Sequence, residues 1–276
     1  MADPRSRIAV STWSLHRFLG TTYPHDLATD AVSDGEDTYG EGEESLLGLP
    51  SVLANHGYHR LEIVSFHLRS RDPVYLGELR DQLKVSGVTL QTLLIDAGDM
   101  TDPVHGARDT RWIAGWVDVA NMLGAENARI IAGKQPYAPE TLERSVAGFR
   151  ELLAANAGSP LRLVTENWFS LLSTPEAVHA LLDRLEGEVG ILGDFGNWNG
   201  PDKYEALASI FPRAELCHAK ASFGPDGLDE SDYGQCVGVA EEAGYVGPYT
   251  LIFDAEHPGE WAGLAQERDF ILSRLG

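Results

Sequence analysis

Four segments in the second half of the sequence each end an apolar run with a side chain that can bind a metal or carry a proton. The run LRLVTEN contains Glu166, VGILGDFGNW contains Asp194, and AELCHAKAS contains His218 and Lys220. The fourth run, PYTLIFDAE, contains Asp254. Carboxylate oxygens and an imidazole nitrogen together suit a divalent ion such as Mn, Mg, Co or Zn. The four segments therefore predict a metal or acid/base site.

Side chains from separate segments can share a site only if the fold brings the segment ends together. Each run is typical of a buried strand followed by a turn and a helical pattern, so its polar residue lies where the strand leaves the core. The carboxyl ends of parallel strands meet at one face of a barrel, where the active sites of such barrels lie. This arrangement predicts a site in the mouth of a parallel barrel.

The whole chain alternates between strand-like and helix-like segments. Between the strands, apolar residues recur at helical spacing, and several of these stretches end in glycine. The order predicts an α/β fold, a (β/α)8 TIM barrel, with a doubly wound open sheet as the alternative. No phosphate-cradling glycine motif opens a helix, which disfavours a nucleotide-binding sheet. We expect strands at residues 7–13, 59–66, 88–96, 127–133, 161–167, 189–195, 214–220 and 248–254.

The length of 276 residues suits one TIM barrel, for which about 250 residues are typical. We therefore expect a single domain over residues 1–276. One connection stands out: the segment 21–48, after the first strand, is unusually long and holds eight acidic residues. In a barrel it emerges on the catalytic face, as a lid or as a solvated loop.

Charge and apolarity exclude several classes of protein. The net charge is −21, from 42 acidic and 21 basic residues, and a field of that sign repels nucleic acids and anionic membranes. No apolar run approaches the roughly 20 residues of a membrane span, and the first residues do not form a signal segment. Two cysteines are too few for a disulfide framework. We expect a cytoplasmic protein with reduced thiols that binds neither nucleic acid nor membrane.

The strand ends resemble those of a known family. The motifs TENW, GDFGNW, CHAKAS and GYVGPYTLIFD are similar to the closing half of the xylose-isomerase-like sugar phosphate isomerase/epimerase superfamily. The resemblance implies a TIM barrel with one divalent metal ion in its mouth. It also implies that Glu166, Asp194 and His218 bind this ion, and that Lys220 holds an oxygen atom of the substrate.

The fourth ligand of the family is missing from its usual position. The resemblance places a Glu at the ninth position of GYVGPYTLI, where this sequence has Ile252. Asp254 lies two residues further on, which on a strand is the same face about 6.6 Å nearer the mouth. Asp254 is therefore the candidate fourth ligand, with Glu256 and a water as the alternatives.

The resemblance also implies a mechanism. In the family's epimerases and ketose isomerases, carboxylates on strands five and eight remove and return a proton next to a carbonyl that the metal polarises. Glu166 would be one of these two groups and Asp254 the other. If Asp254 lies too far away, Lys220 or a water must carry the second proton.

Further residues at the predicted mouth are candidates for substrate contacts. Trp13 ends strand one, and Trp168 and Trp198 follow the candidate ligands of strands five and six. The three could form an aromatic wall against a sugar ring, or pack under loops. Asn167 could donate to a substrate hydroxyl. Asn197 is expected to support the metal ligands.

Strands two and four carry polar residues with competing interpretations. Glu62 is either a buried carboxylate in need of a partner or, as we expect, a substrate contact. His67 matches a further zinc ligand of the family's DNA-repair endonucleases, but strand three lacks the matching His, so we expect no trinuclear zinc site. Arg129 and Lys134 flank strand four, where only Lys134 and Gln135 are expected near the outlet.

We predict a divalent-metal-dependent isomerase or epimerase that acts on a sugar, a sugar acid or a polyol-derived ketone. A lyase or dehydratase is the first alternative, because it would also begin with proton abstraction by Glu166. A non-catalytic carbohydrate-binding barrel is the second, since the usual Glu of strand eight is absent. The negative charge and the missing histidines disfavour an endonuclease. The expected partner is a small sugar-like substrate, and assembly as a homo-oligomer is left open.

Overall fold

Within residues 3–275, which the computed structural model describes, eight parallel strands close into a barrel. They are β1 Ile8–Ser11, β2 Arg60–Val64, β3 Thr89–Ile95, β4 Asn127–Ile130, β5 Arg162–Glu166, β6 Gly190–Asp194, β7 Ala214–Lys220 and β8 Tyr249–Ile252. Strand β1 is hydrogen-bonded to β2 on one side and to β8 on the other. The predicted TIM barrel is confirmed, and this closure excludes the doubly wound open sheet.

Each predicted strand is present, but several are shorter than expected. Strand β1 ends at Ser11, whose side chain accepts a hydrogen bond from the backbone N–H of Trp13 and so starts a 3-10 turn. Strand β8 ends at Ile252, which leaves Asp254 outside the sheet. The alternation of side chains along a strand therefore does not extend to residues 13 and 254.

A helix follows each barrel strand and covers the outside of the sheet. Proline at the first helical position and glycine after the last mark several of the ends, as for Pro73 and Gly87, because proline needs no N–H donor there and glycine accepts the left-handed conformation. Apart from a single helical turn at His16–Leu19, the helices are α1 Leu49–Asn55, α2 Pro73–Ser86, α3 Gly106–Leu123, α4 Pro139–Ala155, α5 Pro175–Arg184, α6 Lys203–Ile210, α7 Glu230–Glu242 and α8 Glu260–Leu275.

The inside of the barrel is built in layers. Val164, Leu192 and Leu216 pack together as a small apolar cluster of their own. On each strand the next residue of the same face lies two positions on, which gives a metal-binding or acidic side chain at the carboxyl end of β5, β6 and β7. The apolar layer thus forms the floor under the polar residues of the mouth.

The segment 21–48 folds against the rim of the barrel mouth. It contains a short antiparallel ribbon, His25–Asp26 with Ala31–Val32, and a bridge between Thr22 and Glu36. The chain closes on itself where Gly20, just before the segment, passes Gly42, and a Cβ on Gly20 would overlap the backbone nitrogen of Gly42. The φ angle of Gly20 is 70°, a conformation that also favours glycine. The segment therefore forms a closed loop.

No helix among residues 3–275 combines the length and the apolarity that a bilayer span requires. Cys217 and Cys236 are both buried and free, as expected for reduced thiols. Burial raises the pKa of both thiols, to about 11 for Cys236.

Candidate functional site

Three of the predicted metal ligands converge at the carboxyl ends of adjacent strands. Glu166 ends β5, Asp194 ends β6, and His218 lies two residues before the end of β7. One ligand atom from each residue lies within 4.8 Å of the other two, and all three side chains are buried. His218 Nδ1 lies 3.5 Å from Asp194 Oδ2 and 3.6 Å from Glu166 Oε1. This set is called the ligand triad below.

Backbone groups and two asparagines hold the carboxylates of the triad in place. Asp194 Oδ1 accepts hydrogen bonds from the N–H groups of Gly196 and Asn197, at 2.6 and 2.7 Å, which leaves Oδ2 turned to His218. Asn197 Nδ2 donates to Glu166 Oε1 at 2.7 Å. Asn167 is fully buried and bonds both backbone groups of Asp194, so it ties β5 to β6 and does not face a substrate.

Glu62 fixes the orientation of the His218 ring. Its Oε2 lies 2.8 Å from His218 Nε2, while its Oε1 accepts hydrogen bonds from Gln91 Nε2 and Thr92 Oγ1, both at 2.8 Å. Consecutive residues can both reach Glu62 because the register between β2 and β3 shifts by one residue at this point. Glu62 is fully buried, so these protein contacts take the place of the expected substrate contact.

The buried charges of the site shift one another's pKa values. Burial raises the pKa of Glu166, but the charges of Arg129 and His218 outweigh it and bring the value to about 2. Burial lowers the pKa of His218, and the carboxylates of Glu62 and Glu166 overcome this effect and raise it well above its usual range. Glu166 is therefore ionised at neutral pH, the form that binds a cation.

Arg129 and Asp96 belong to the site, although the sequence analysis did not place them there. Arg129 is buried, its Nε lies 3.0 Å from Glu166 Oε2, and its Nη2 donates to Asp96 Oδ1 at 2.5 Å. Strand β4 ends at Ile130, earlier than expected, so Arg129 is its last inward-facing residue and its long side chain reaches the mouth. The expectation that only Lys134 and Gln135 lie near this outlet was wrong. A charged residue inside the apolar run ARII was the available signal.

The structure does not bring Asp254 to the triad. Its carboxylate Oδ2 lies 3.2 Å from Lys220 Nζ, and about a third of each side chain is exposed, 36% for Asp254 and 34% for Lys220. Ile252 instead lines the mouth next to the triad. Asp254 was expected to be the fourth ligand because the strand was assumed to continue to this residue. Strand β8 ends two residues earlier, at Ile252.

The predicted aromatic wall is present in part. Trp13 and Trp168 line the cavity above the triad, and Trp168 packs against the Arg129 guanidinium, whose central carbon lies 5.0 Å from the ring centre. Trp198 is buried, and its indole N–H donates to the carbonyl of Leu172 at 3.2 Å. Trp198 thus packs under a loop and lies outside this cavity.

His67 points away from the triad. Its Nδ1 lies 2.9 Å from Thr12 Oγ1, and burial together with the charge of His16 lowers its pKa to about 3. His67 borders a separate hollow lined by Asp37 and Arg69. The group that could hold an ion within residues 3–275 consists of Glu166, Asp194 and His218, and His67 is not part of it.

The donor set fits a divalent metal ion. Two carboxylates and one imidazole face each other at the floor of a cavity of about 160 Å³, with the His218 ring held by a carboxylate behind it, as metal-binding histidines commonly are. Three protein ligands leave positions open on the cavity side, where a substrate could bind. Lys220 and Ile252 line the same cavity from β7 and β8.

Solved structures of similar fold include several sugar enzymes. A xylose isomerase-like TIM barrel protein from Mycobacterium smegmatis, in complex with magnesium, matches with a TM-score of 0.71 and 16% identity, over 100% of both chains. D-allulose 3-epimerase from Methylomonas sp. matches with a TM-score of 0.70 and 15% identity, over 97% of both chains. The probable 3-DHS dehydratase from Bacillus anthracis matches with a TM-score of 0.64 and 14% identity, over 94% of this chain and 97% of that one. These likenesses establish the fold.

No curated protein matches the sequence. The profile of the xylose isomerase-like TIM barrel family does match it, over residues 50–273. This range includes seven of the eight barrel strands and all three residues of the triad. The chain belongs to the xylose isomerase-like TIM barrel family.

Proposed function

We propose that this protein is a divalent-metal-dependent isomerase or epimerase of a sugar, a sugar acid or a polyol-derived ketone. The observation that carries the proposal is the convergence of Glu166, Asp194 and His218 within 4.8 Å at the barrel mouth. A structural neighbour bound to magnesium and others that are sugar epimerases support it. Glu166, Asp194 and His218 would hold the ion, which would polarise a substrate carbonyl.

Glu166 and Lys220 are the groups that can move a proton. Glu166 is ionised and faces the cavity, so it can accept a proton from a carbon next to the carbonyl. Lys220 lines the same cavity, from the strand two places along the barrel, and its ammonium is held 3.2 Å from Asp254. Since Ile252 stands where a second carboxylate would be, we assign the return of the proton to Lys220.

A dehydratase is the second candidate, and the presence of Ile252 in place of a second carboxylate favours it. Elimination needs one base to remove the proton and one acid to protonate the departing hydroxyl, so a carboxylate in place of Ile252 is not required. Glu166 and Lys220 would supply these two roles. A structural neighbour that is a probable dehydratase supports this candidate.

One experiment distinguishes these activities from a non-catalytic sugar-binding barrel. The metal content of the purified protein is measured first, and the metal-loaded protein is then incubated with ketoses and inososes in deuterated water. Deuterium at carbon with a new isomer supports the isomerase, and an unsaturated carbonyl product supports the dehydratase. Sugar binding without deuterium incorporation or product would overturn both.

A further inference from the structure

A second hollow adjoins the cavity that contains the triad. The two share Trp13, Asp96 and Trp168 as a common wall, and the second hollow has a volume of about 510 Å³ against about 160 Å³ for the first. Small-molecule sites usually measure about 300–1,000 Å³. The cavity over the triad is smaller than that range, so a ligand of usual size would extend into the second hollow, called the outer hollow below.

Aromatic side chains from the barrel and from the segment 21–48 line the outer hollow. Trp13 and Phe66 stand on the barrel side, in edge-to-face contact with their ring centres 6.2 Å apart. The segment 21–48 supplies Tyr39 and His25. The ring of His25 lies 4.5 Å from that of Trp116, which anchors this wall to helix α3. Aromatic faces at such a site suit the apolar face of a sugar ring.

The polar groups of the outer hollow are hydroxyls and carboxylates. Thr38, Ser65 and Glu36 contribute them, and among its lining residues, all within 3–275, there is no lysine or arginine. Burial and the charge of Arg71 lower the pKa of His25 to about 4, so this ring is neutral at neutral pH. The lining of the outer hollow thus offers no cationic side chain to a phosphate or carboxylate, whereas its hydroxyls can pair with those of a sugar.

We propose that the outer hollow is a second sugar subsite, so the substrate is an uncharged disaccharide whose carbonyl-bearing ring lies over the triad and whose second ring lies in the outer hollow, in contact with Tyr39 and Trp13. This proposal rests on the proposed function, because the reacting ring must lie at the triad. It assigns the segment 21–48 to substrate recognition. It also identifies the substrate class as unphosphorylated.

Calorimetric titration of the manganese-loaded protein tests the subsite with four probes: methyl β-D-glucoside, cellobiose, phenyl β-D-glucoside and D-glucose 6-phosphate. We expect cellobiose to bind about tenfold more tightly than methyl glucoside, the scale of one or two aromatic contacts, and the phosphate to bind most weakly. Equal binding of the two neutral sugars would overturn the proposal. So would tightest binding of the phosphate, or a gain for the phenyl glucoside without one for cellobiose.

Substitutions of aromatic residues that line the outer hollow test whether the second sugar ring binds there. Tyr39→Ala and Phe66→Ala should each weaken cellobiose binding by about fivefold and leave methyl glucoside within twofold, while Tyr39→Phe, which keeps the ring, should retain cellobiose affinity. Tyr137→Ala, at a tyrosine outside the hollow that is 49% exposed, is the matched control. Equal losses for both sugars in Tyr39→Ala would contradict the assignment.

The deuterium-exchange assay separates this inference from the proposed function. Exchange on monosaccharides without a preference for cellobiose overturns the subsite and leaves the isomerase standing. A preference for cellobiose that Tyr39→Ala removes, without exchange on any sugar, supports the subsite and overturns the isomerase.

Discussion

His218 Nε2 lies 2.8 Å from Glu62 Oε2, on the far side of the imidazole from the metal-binding face. The contact leaves Nδ1 directed at Asp194 and Glu166. A carboxylate behind a metal-binding histidine fixes both its tautomer and its ring plane. We therefore expect Glu62 to be a positioning residue for the triad.

Glu62→Gln tests this role. The amide keeps the size of the side chain but loses its charge, so it would hold the His218 ring less firmly. We expect metal affinity to fall by about 10- to 100-fold, as measured by titration with Mn²⁺. Gln91→Leu removes one hydrogen bond donated to Oε1 of Glu62. It should also lower the metal affinity, but by less. Unchanged affinity in Glu62→Gln would contradict the role.

The triad itself is tested by Asp194→Ala and His218→Ala. Each change removes one of the three proposed metal ligands, so each should abolish metal binding in equilibrium dialysis. Both residues lie above the apolar floor of Val164, Leu192 and Leu216, so the fold should persist, as circular dichroism would report. Full metal occupancy in either variant would remove that residue from the ligand set.

Two substitutions, at Asp254 and at Ile252, test whether the chain beyond β7 supplies a fourth metal ligand. Asp254 pairs with Lys220 at 3.2 Å and stands apart from the triad, so Asp254→Asn should leave the metal dissociation constant within a few-fold of wild type. Ile252→Glu places a carboxylate inside the cavity and should tighten metal binding, because a fourth ligand is added. A large loss of metal affinity in Asp254→Asn would show that Asp254 binds the metal.

Glu166→Gln tests the base. The substitution preserves size and removes the group that accepts the proton, so turnover should fall at least about a hundredfold. Asp81→Asn, an exposed acidic residue of α2, is the control for a change of one charge. Turnover is compared at saturating metal, because Glu166 is also a proposed ligand. Near-normal turnover in Glu166→Gln would show that another residue is the base.

Glu267 provides a test of stability against pH. This residue of α8 is fully buried, and burial raises its pKa well above the ordinary value of 4.5. The folded state therefore favours the protonated form, so its contribution to stability is present at low pH and is lost as the pH rises above about 4.5.

Glu267→Gln removes this dependence. The variant should be more stable than the wild type at pH 8, with a much smaller gain at pH 5, as measured by urea unfolding at both pH values. A difference that is the same at both pH values would show that Glu267 is not protonated in the folded protein.

The fold could be predicted from local sequence patterns because barrel strands are short apolar runs. The same locality explains why Glu166, Asp194 and His218 could be placed together: each lies on a strand, and strand ends meet at one face. Arg129 could not be placed this way, because its contact with Glu166 depends on where β4 ends and on how far a long side chain reaches.

The other differences between prediction and structure, at Glu62 and Asp254, also depend on strand register and on where strands end. Glu62 meets His218 across the barrel, and its two further donors depend on a register shift that no pattern in the sequence marks. Asp254 was expected at the mouth because the strand was assumed to continue past Ile252. The roles of the site residues in binding and catalysis stay predictions until the variants above are measured.

The closed loop formed by the segment 21–48 has a consequence for how specificity could change. Its ends meet at Gly20 and Gly42, and Glu43 N–H donates to the carbonyl of Phe18 at 2.8 Å, so the loop starts and finishes at nearly the same point on the rim. A loop with adjacent ends can be shortened, lengthened or exchanged without moving the strands on either side. The barrel can therefore serve as a fixed frame for interchangeable loops at this point, each of which would form a different outer wall over the same triad.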